Sequence, residues 1–272
     1  NTRKPEGTLR KGWTTGACAS AAAVAAYQAL LGQGFPDPVT IKLPSGLQPN
    51  FALSRQQVGD TWAMAGVIKD AGDDPDVTHG AEIISHVEHG TLGQGLQFLA
   101  GVGVGTVTLP GLPLDVGNAA INPGPRQMIA DNLRPLAKQH GTELDLNITV
   151  SIPGGEEIAL KTMNGRLAIK GGLSILGTTG IVVPFSCASW IHSIHRGIDV
   201  ARATGITHIA AATGSTSETA IKAMLNLPET ALIDMGDFAG GLLKYLRKHP
   251  VAHLTLAGGF GKLSKLAQGH MD

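Results

Sequence analysis

The pattern of apolar and polar positions changes rhythm part-way along the chain. In the first half, residues 17–31 form a nearly unbroken run of small apolar side chains, mostly alanine, which predicts a buried helix capped by Thr14 or Thr15. Short β-rich stretches follow near 39–43, 51–58 and 61–69, then at 81–88 and 96–109, with glycines between them. Pro123-Gly124-Pro125 opens a helix to about residue 139, with Met128, Ile129, Leu133 and Leu136 at helical spacing. Residues 144–150 alternate apolar with polar, as a half-exposed strand does. The turn Pro153-Gly154-Gly155 predicts a hairpin into a partner strand at 156–162.

The second half repeats one unit. After a helix at about 186–203, three short apolar runs (206–212, 231–235 and 251–257) are each followed by a glycine-bearing turn and a helix. Strand, turn and helix in succession predict a parallel sheet wound with helices, with its three turns along one edge. The fold expected is therefore an α+β domain over residues 1–170 followed by an α/β Rossmann-like parallel-sheet domain over 171–272, the boundary falling near 165–175. Three strand–helix units are few for such a sheet. Either a strand at 171–181 joins it, or the second domain is truncated at its C-terminus.

Composition narrows the function classes. Glycine supplies 37 of the 272 residues, and charged residues are 15%, below the ~25% usual in soluble domains. A chain so rich in glycine and alanine packs backbone against backbone and presents bare N–H groups in its loops. Lysine plus arginine equals aspartate plus glutamate at 21 each, so no net field favours nucleic acid or an anionic membrane. Arg3, Lys4, Arg10 and Lys11 ahead of the alanine run imitate a signal peptide, but Ser20, Tyr27 and Gln28 interrupt that run, and it falls short of the ~20 apolar residues of a membrane span. Two cysteines, Cys18 and Cys187, make no disulfide framework and suit a reducing cytoplasm.

The strongest chemical pattern lies on the predicted edge of the second domain. A nucleotide-binding α/β unit offers its ligand the N–H groups of the first strand–helix turn, and an acid about 20 residues later takes a ribose hydroxyl. Gly214 opens that turn here, Ser215, Thr216 and Ser217 follow it, and Asp234 ends the next strand. Ordinary turn and cap chemistry explains the same residues, and no G-x-G-x-x-G is present. Gly258-Gly259-Phe260-Gly261-Lys262 is not a phosphate loop, because Leu256 occupies the first glycine position and Leu263 follows the lysine.

Other motifs keep two readings. Asp70, Asp73, Asp74 and Asp76 crowd one segment without the spacing of an EF-hand. They form either a solvated turn or a carboxylate cluster beside a polar ligand. Thr-Thr-Gly occurs at 14–16 and again at 178–180, a repeat that helix capping alone can produce. His192 and His195 stand one helical turn apart without cysteine partners, so no metal site is expected. No Gly-x-Ser-x-Gly elbow supports hydrolase chemistry.

Taken together, Gly12-Trp13-Thr14-Thr15-Gly16-Ala17-Cys18-Ala19, Lys69-Asp70-Ala71-Gly72-Asp73-Asp74-Pro75-Asp76-Val77-Thr78, Ala120-Ile121-Asn122-Pro123, Gly177-Thr178-Thr179-Gly180-Ile181-Val182, Ala212-Thr213-Gly214-Ser215-Thr216, Gly236-Asp237-Phe238 and Gly258-Gly259-Phe260-Gly261-Lys262-Leu263-Ser264-Lys265 resemble the CbiD family. The resemblance runs from about residue 8 to the end, in the family's order. Members of that family usually continue well past the last of these segments. The resemblance implies an S-adenosylmethionine-dependent methyltransferase of anaerobic cobalamin biosynthesis, acting on ring carbon C-1 of cobalt-precorrin-5B to give cobalt-precorrin-6A. A small-molecule corrinoid is then the partner.

On that footing, Gly214, Ser215, Thr216, Ser217, Asp234 and Asp237 are expected to hold the cofactor. Thr14, Thr15, Lys69, Arg126, Thr178 and Thr179 are expected to donate to the corrinoid's carboxylates, and Asp70, Asp73 or Asp74 to orient ring amides or accept a proton. The competing readings are another nucleotide-dependent transferase or dehydrogenase, and a non-catalytic corrinoid or tetrapyrrole carrier. Nothing in the pattern fixes an oligomeric state.

Overall fold

In the computed structural model, residues 7–271 are described; Arg3 and Lys4 of the N-terminal basic group lie outside them. The chain forms two compact units. The first comprises residues up to 106 together with 117–162 and 170–185, and the second comprises 107–116, 163–169 and 186 onward.

The first unit begins with a two-residue strand, β1 (Gly12–Trp13), and the alanine helix α1 (Thr15–Leu30). Thr14 caps α1, its Oγ1 accepting from the Ala17 amide at 3.1 Å. Short strands β2 (Val39–Thr40) and β3 (Asn50–Phe51) pair with each other. The main sheet is built from β4 (Arg55–Val58), β5 (Trp62–Ile68), β6 (Glu82–His89), β7 (Leu96–Ala100) and, after β8 (Thr106–Val107) and helix α2 (Pro123–His140), β9 (Leu146–Ser151). Its order is β4-β5-β6-β9-β7, antiparallel except for the final pair. Helix α1 packs between strands β5 and β6 and helix α2, and 14 of its 16 residues are buried. Only small side chains let a helix approach a sheet and another helix this closely at once, which is why this run is alanine rather than leucine. On β9 the alternation is kept: Leu146, Ile148 and Val150 are buried and the residues between them are half-buried.

Three expectations fail in this unit. The stretch 96–109 is not one strand, because Gly103 turns it in the left-handed region (φ +72°) directly against the Ile152 carbonyl. The stretch 51–58 divides into β3 and β4. Residues 156–162 do not form a hairpin partner for β9; they open with helix α3 (Gly155–Ala159). The Glu156 carboxylate accepts from the Gly103 amide at 2.8 Å, and Gly155 lies flat against Gly103, leaving no room for a returning strand. After β10 (Ile169–Lys170), residues 171–181 stay in the first unit: Leu173 bridges Val104, Ile175 bridges Ile121, and β11 (Ile181–Val182) pairs with β1. They do not join the parallel sheet.

The second unit holds α4 (Cys187–Ala203), β12 (His208–Ala212), α5 (Ser215–Met224), a 3-10 turn at Glu229–Ala231, β13 (Leu232–Asp234), α6 (Ala239–Lys248), β14 (His253–Ala257) and α7 (Phe260–Ala267). Its three strands are parallel in the order β13-β12-β14, so the first strand is central. Helices α4 and α6 pack on one another while α5 packs against β12 and β14. The core gathers Ile194, Ile198, Ile209, Ile233 and Leu242. The structure is thus mixed α/β with several small sheets, one of them parallel. Among the described residues no helix is long and apolar enough to cross a membrane.

The packing of α1 makes a direct prediction. Ala22→Leu inserts three carbons where the side chain has no exposed surface, and overpacking of this kind costs about 1–3 kcal/mol. Thermal unfolding should show a lowered midpoint, and an unchanged one would contradict the packing described.

Candidate functional site

Two groups of predicted residues are brought together, one in each unit. In the first unit the two Thr-Thr-Gly segments meet. The Thr14 amide donates to the Gly180 carbonyl at 3.0 Å and the Gly16 amide to the Leu176 carbonyl at 2.8 Å. Thr15 Oγ1 donates to the Leu176 carbonyl at 3.2 Å and accepts from the Leu176 amide at 3.1 Å. Gly177 adopts φ +114°, and a Cβ there would fall 2.2 Å from Thr14 Oγ1. Thr178 lies over Gly124 at the start of α2, and Thr179 Oγ1 bonds the backbone of Ile181; both threonines are exposed. The hydroxyls of Thr14 and Thr15 are therefore engaged within the protein, while Thr178 and Thr179 present surface.

The aspartate segment is a fastening between the N-terminal arm and the end of β5. Asp70 takes both terminal nitrogens of Arg10 and the Gly72 amide, and the Trp13 amide donates to its carbonyl. The Arg10 guanidinium, with the Gly72 amide, pulls the Asp70 carboxyl down to about 2, so this group is a weak base at neutral pH. Asp73 accepts from the Arg10 amide and Asp74 from the Phe185 amide. Gly12 crosses Ala71 so closely that a Cβ would sit 2.0 Å from its carbonyl carbon. Lys69, expected to be a donor to a ligand, is 1% exposed, its ammonium held by Asp76 at 2.5 Å and Thr78 at 2.7 Å. Arg126 differs. Its Nε and Nη2 donate to the Ile121 and Ala119 carbonyls, and it lies 5.3 Å above the Phe98 ring. Among the described residues no carboxylate pairs with it. Cys18, wholly buried, has its thiol pushed up to about 12 and is chemically quiet.

In the second unit the predicted edge exists. Ala212, Asp234 and Ala257 stand in register at the carboxyl ends of β12, β13 and β14, so the three turns that follow lie side by side. The Met235 amide donates to the Ala212 carbonyl and the Thr213 amide to the Ala257 carbonyl, locking the turns to the sheet. Nothing stands within 4 Å of where a Cβ on Gly214 or Gly259 would be. Ser215 and Thr216 are exposed in the first turn of α5, and Ser217 Oγ lies 3.4 Å from Thr213 Oγ1. Asp234 is half-buried; burial raises its carboxyl above the usual aspartate value, while the Gly236 amide opposes the shift. Trp190 Nε1 donates to the Asp234 carbonyl at 3.2 Å. Asp237 is exposed and pairs with Lys262 of α7, an ion pair that runs from the turn after one edge strand to the helix after the other.

The chain has relatives. The CbiD family model matches residues 2–184. A protein of Paramagnetospirillum magneticum named cobalt-precorrin-5B C(1)-methyltransferase is 62% identical over 98% of this chain and 75% of its own length. The chain belongs to the CbiD family. Proteins of the same name from Brucella anthropi (60% identical, all of this chain and 74% of the relative) and Methylorubrum extorquens (61% identical, 98% and 74%) align over the same extent. A crystal structure of a cobalamin biosynthesis protein, CbiD, from Archaeoglobus fulgidus superposes with a TM-score of 0.53 at 28% identity, covering 98% of this chain and 82% of that one. The match to the family model ends at residue 184, beside the passage from the first unit into the long segment of the second.

Sequence reasoning passed over Trp190 and Arg166. Trp190 is a lone aromatic in a helix, and Arg166 has partners, Glu218 and Glu229, that are remote in sequence; neither carries a local signal.

The buried ion pair at the end of β5 yields a prediction. Lys69→Met leaves the Asp76 carboxylate without its cation in a partly buried place, and breaking such a pair from one side costs about 3–5 kcal/mol. Denaturant unfolding should report that loss; a variant as stable as the parent would remove Lys69 from the fastening.

Proposed function

We propose that this chain is a cobalt-precorrin-5B C(1)-methyltransferase that carries a methyl group from S-adenosylmethionine to ring carbon C-1 of the corrinoid. The observation that carries the reading is 60–62% identity over almost the whole chain to relatives bearing that name. A methyltransferase needs a methyl donor, and the second unit supports this one. With the first strand central and α5 following it, we read the unit as a Rossmann-like nucleotide-binding half, in which ligands sit outside the carboxyl ends of the strands. The open turn at Gly214, the exposed hydroxyls of Ser215 and Thr216, and the Asp234 acceptor at the neighbouring strand end fit a nucleoside with its amino acid tail.

The donor's sulfonium supplies an already activated methyl group, so the protein's part is chiefly geometry. In this reading Gly214 and the first turn of α5, with Ser217, approach the donor, Asp234 accepts from a ribose hydroxyl, and Asp237 sits at the rim. Holding nucleophilic carbon, methyl and sulfur in line can contribute about 7–11 kcal/mol. Arg126, a cation bonded to carbonyls and lying over the Phe98 ring with no carboxylate partner among the described residues, is the best-placed anchor for a corrinoid carboxylate, with Thr178 and Thr179 as exposed donors. Thr14, Thr15 and Lys69 support that surface from behind through their internal bonds. Asp70 is too acidic to take a proton at neutral pH. Of the three aspartates, Asp73 and Asp74 are left to orient ring amides, and both are already bonded to backbone amides. We place the enzyme in the cytoplasm, where Cys18 and Cys187 remain thiols.

The decisive assay incubates the full chain with cobalt-precorrin-5B and isotopically labelled S-adenosylmethionine; label on the corrinoid is expected, and a corrinoid recovered unlabelled would overturn the reading. Asp234→Ala should weaken S-adenosylhomocysteine binding by roughly ten- to hundredfold, the worth of a hydrogen bond to a charged group, with the fold intact by circular dichroism. Because burial raises this carboxyl, binding in the parent should weaken on acidification at a higher pH than an ordinary aspartate dictates. Calorimetry from neutral to mildly acidic pH reads both effects, and an affinity indifferent to Asp234→Ala would dismiss the ribose assignment.

A further inference from the structure

Residues 163–169, though flanked on both sides by segments of the first unit, belong to the second. They form a tight turn closed by the Arg166 and Leu167 amides on the Met163 carbonyl and the Ile169 amide on the Asn164 carbonyl. Ala168 is held in the left-handed region at φ +59°, and Thr108 fixes it there through its amide and hydroxyl, both donating to the Ala168 carbonyl. A non-glycine residue adopts that conformation only where its surroundings over-determine it. What the turn presents is Arg166.

Arg166 forks onto Glu218, Nη1 to Oε2 at 2.8 Å and Nη2 to Oε1 at 2.6 Å. Its Nε lies 3.4 Å from Glu229, and Lys222 bridges back from Glu229 (2.7 Å) to Glu218 (3.4 Å). Four charges of alternating sign therefore close a ring. Three of its members lie on the elements that build the donor edge: Glu218 is in the first turn of α5, directly after Ser215–Ser217, Lys222 is near its last turn, and Glu229 is in the 3-10 turn that leads into β13 and Asp234. The Arg166 and Glu218 side chains are only 21% and 18% exposed. A planar, bidentate pair in such a setting fixes orientation as well as charge.

We propose that Arg166 is a positioning residue for the methyl-donor edge: anchored on Glu229 in the turn that leads into β13, it forks onto Glu218 and neutralises that carboxylate in the first turn of α5. The inference rests on the reading of Gly214–Ser217 and Asp234 as the donor site. Without Arg166, Glu218 would lose its bidentate partner and keep only the longer contact to Lys222, which Glu229 shares, so the turn that must approach the donor would carry excess negative charge beside a second acid that must stay ionised. The charges acting on Asp234 are Glu218, which disfavours its ionised form, and Arg166 and Lys262, which favour it; the Gly236 amide adds a hydrogen bond.

The test uses the full chain, with S-adenosylhomocysteine as the calorimetric probe and methyl transfer for kinetics. Arg166→Met is expected to raise the KM for the donor on the order of tenfold while kcat stays within about twofold, the mark of lost ground-state binding. The acid limb of donor affinity should move to higher pH in that variant. The double variant Arg166→Met with Glu218→Gln, which removes both charges, should recover affinity to within about threefold of the parent. Asp234→Ala serves as the control on the underlying reading. If it loses affinity while a folded Arg166→Met keeps it, the positioning role is wrong and the donor edge stands. If Asp234→Ala itself keeps affinity, the donor edge is wrong. Should Arg166→Met fail to fold, the double variant decides alone: recovered binding supports the role, and a folded double variant that binds weakly overturns it.

Discussion

Helix α1 is enclosed by sheet and helix along nearly its full length, and that enclosure governs the first unit. A helix leaves its first amides without intrahelical partners, and here water cannot serve them all. Thr14 takes one, the Leu176 carbonyl takes another, and Thr15 binds that same residue through its hydroxyl. The chain must therefore return to this end from more than 150 residues away in sequence, and it does so through Gly177-Thr178-Thr179-Gly180. The glycines are dictated by the approach, since Gly177 has no space for a side chain beside Thr14 and its φ lies where glycine is favoured. The repeated Thr-Thr-Gly is the two halves of one closure.

The same closeness explains the aspartate segment. With Gly12 lying on Ala71, the arm is held by short aspartate side chains that bond both its backbone, at Arg10, and its Arg10 guanidinium. A cluster that looks in sequence like a reactive centre is in the fold a set of satisfied acceptors, with Lys69 as an internal counter-charge. Thr178 and Thr179 stay exposed, and the Arg126 guanidinium is bonded to carbonyls rather than to a carboxylate among the described residues.

The second unit is organised the opposite way. Its three strand ends are in register, its turns have open space at Gly214 and Gly259, and Ser215 and Thr216 are exposed there. In the function proposed, methyl transfer from a sulfonium asks for placement more than for acid or base, which suits an edge of this kind. Its electrostatics are balanced closely: Glu218 disfavours the ionised form of Asp234, and the ring closed through Glu229 sets the opposite charges of Arg166 and Lys222 against Glu218.

Much of this was written in the residues. Alanine content determined the buried helix, alternation determined β9, and strand–glycine–helix repeats determined the parallel sheet, because each depends on interactions within a few residues or on one period. The family was legible too, since it rests on the order of short segments. The hairpin expected after residue 155 was misread because Gly103, some fifty positions earlier, occupies that space and receives Glu156. The roles of Lys69, of the two Thr-Thr-Gly segments and of Arg166 were likewise decided by tertiary contact. Local pattern sets which element a segment forms; whether a charge or hydroxyl is spent inside the protein or left for a ligand depends on partners far away in sequence, which only the folded chain brings within hydrogen-bonding distance.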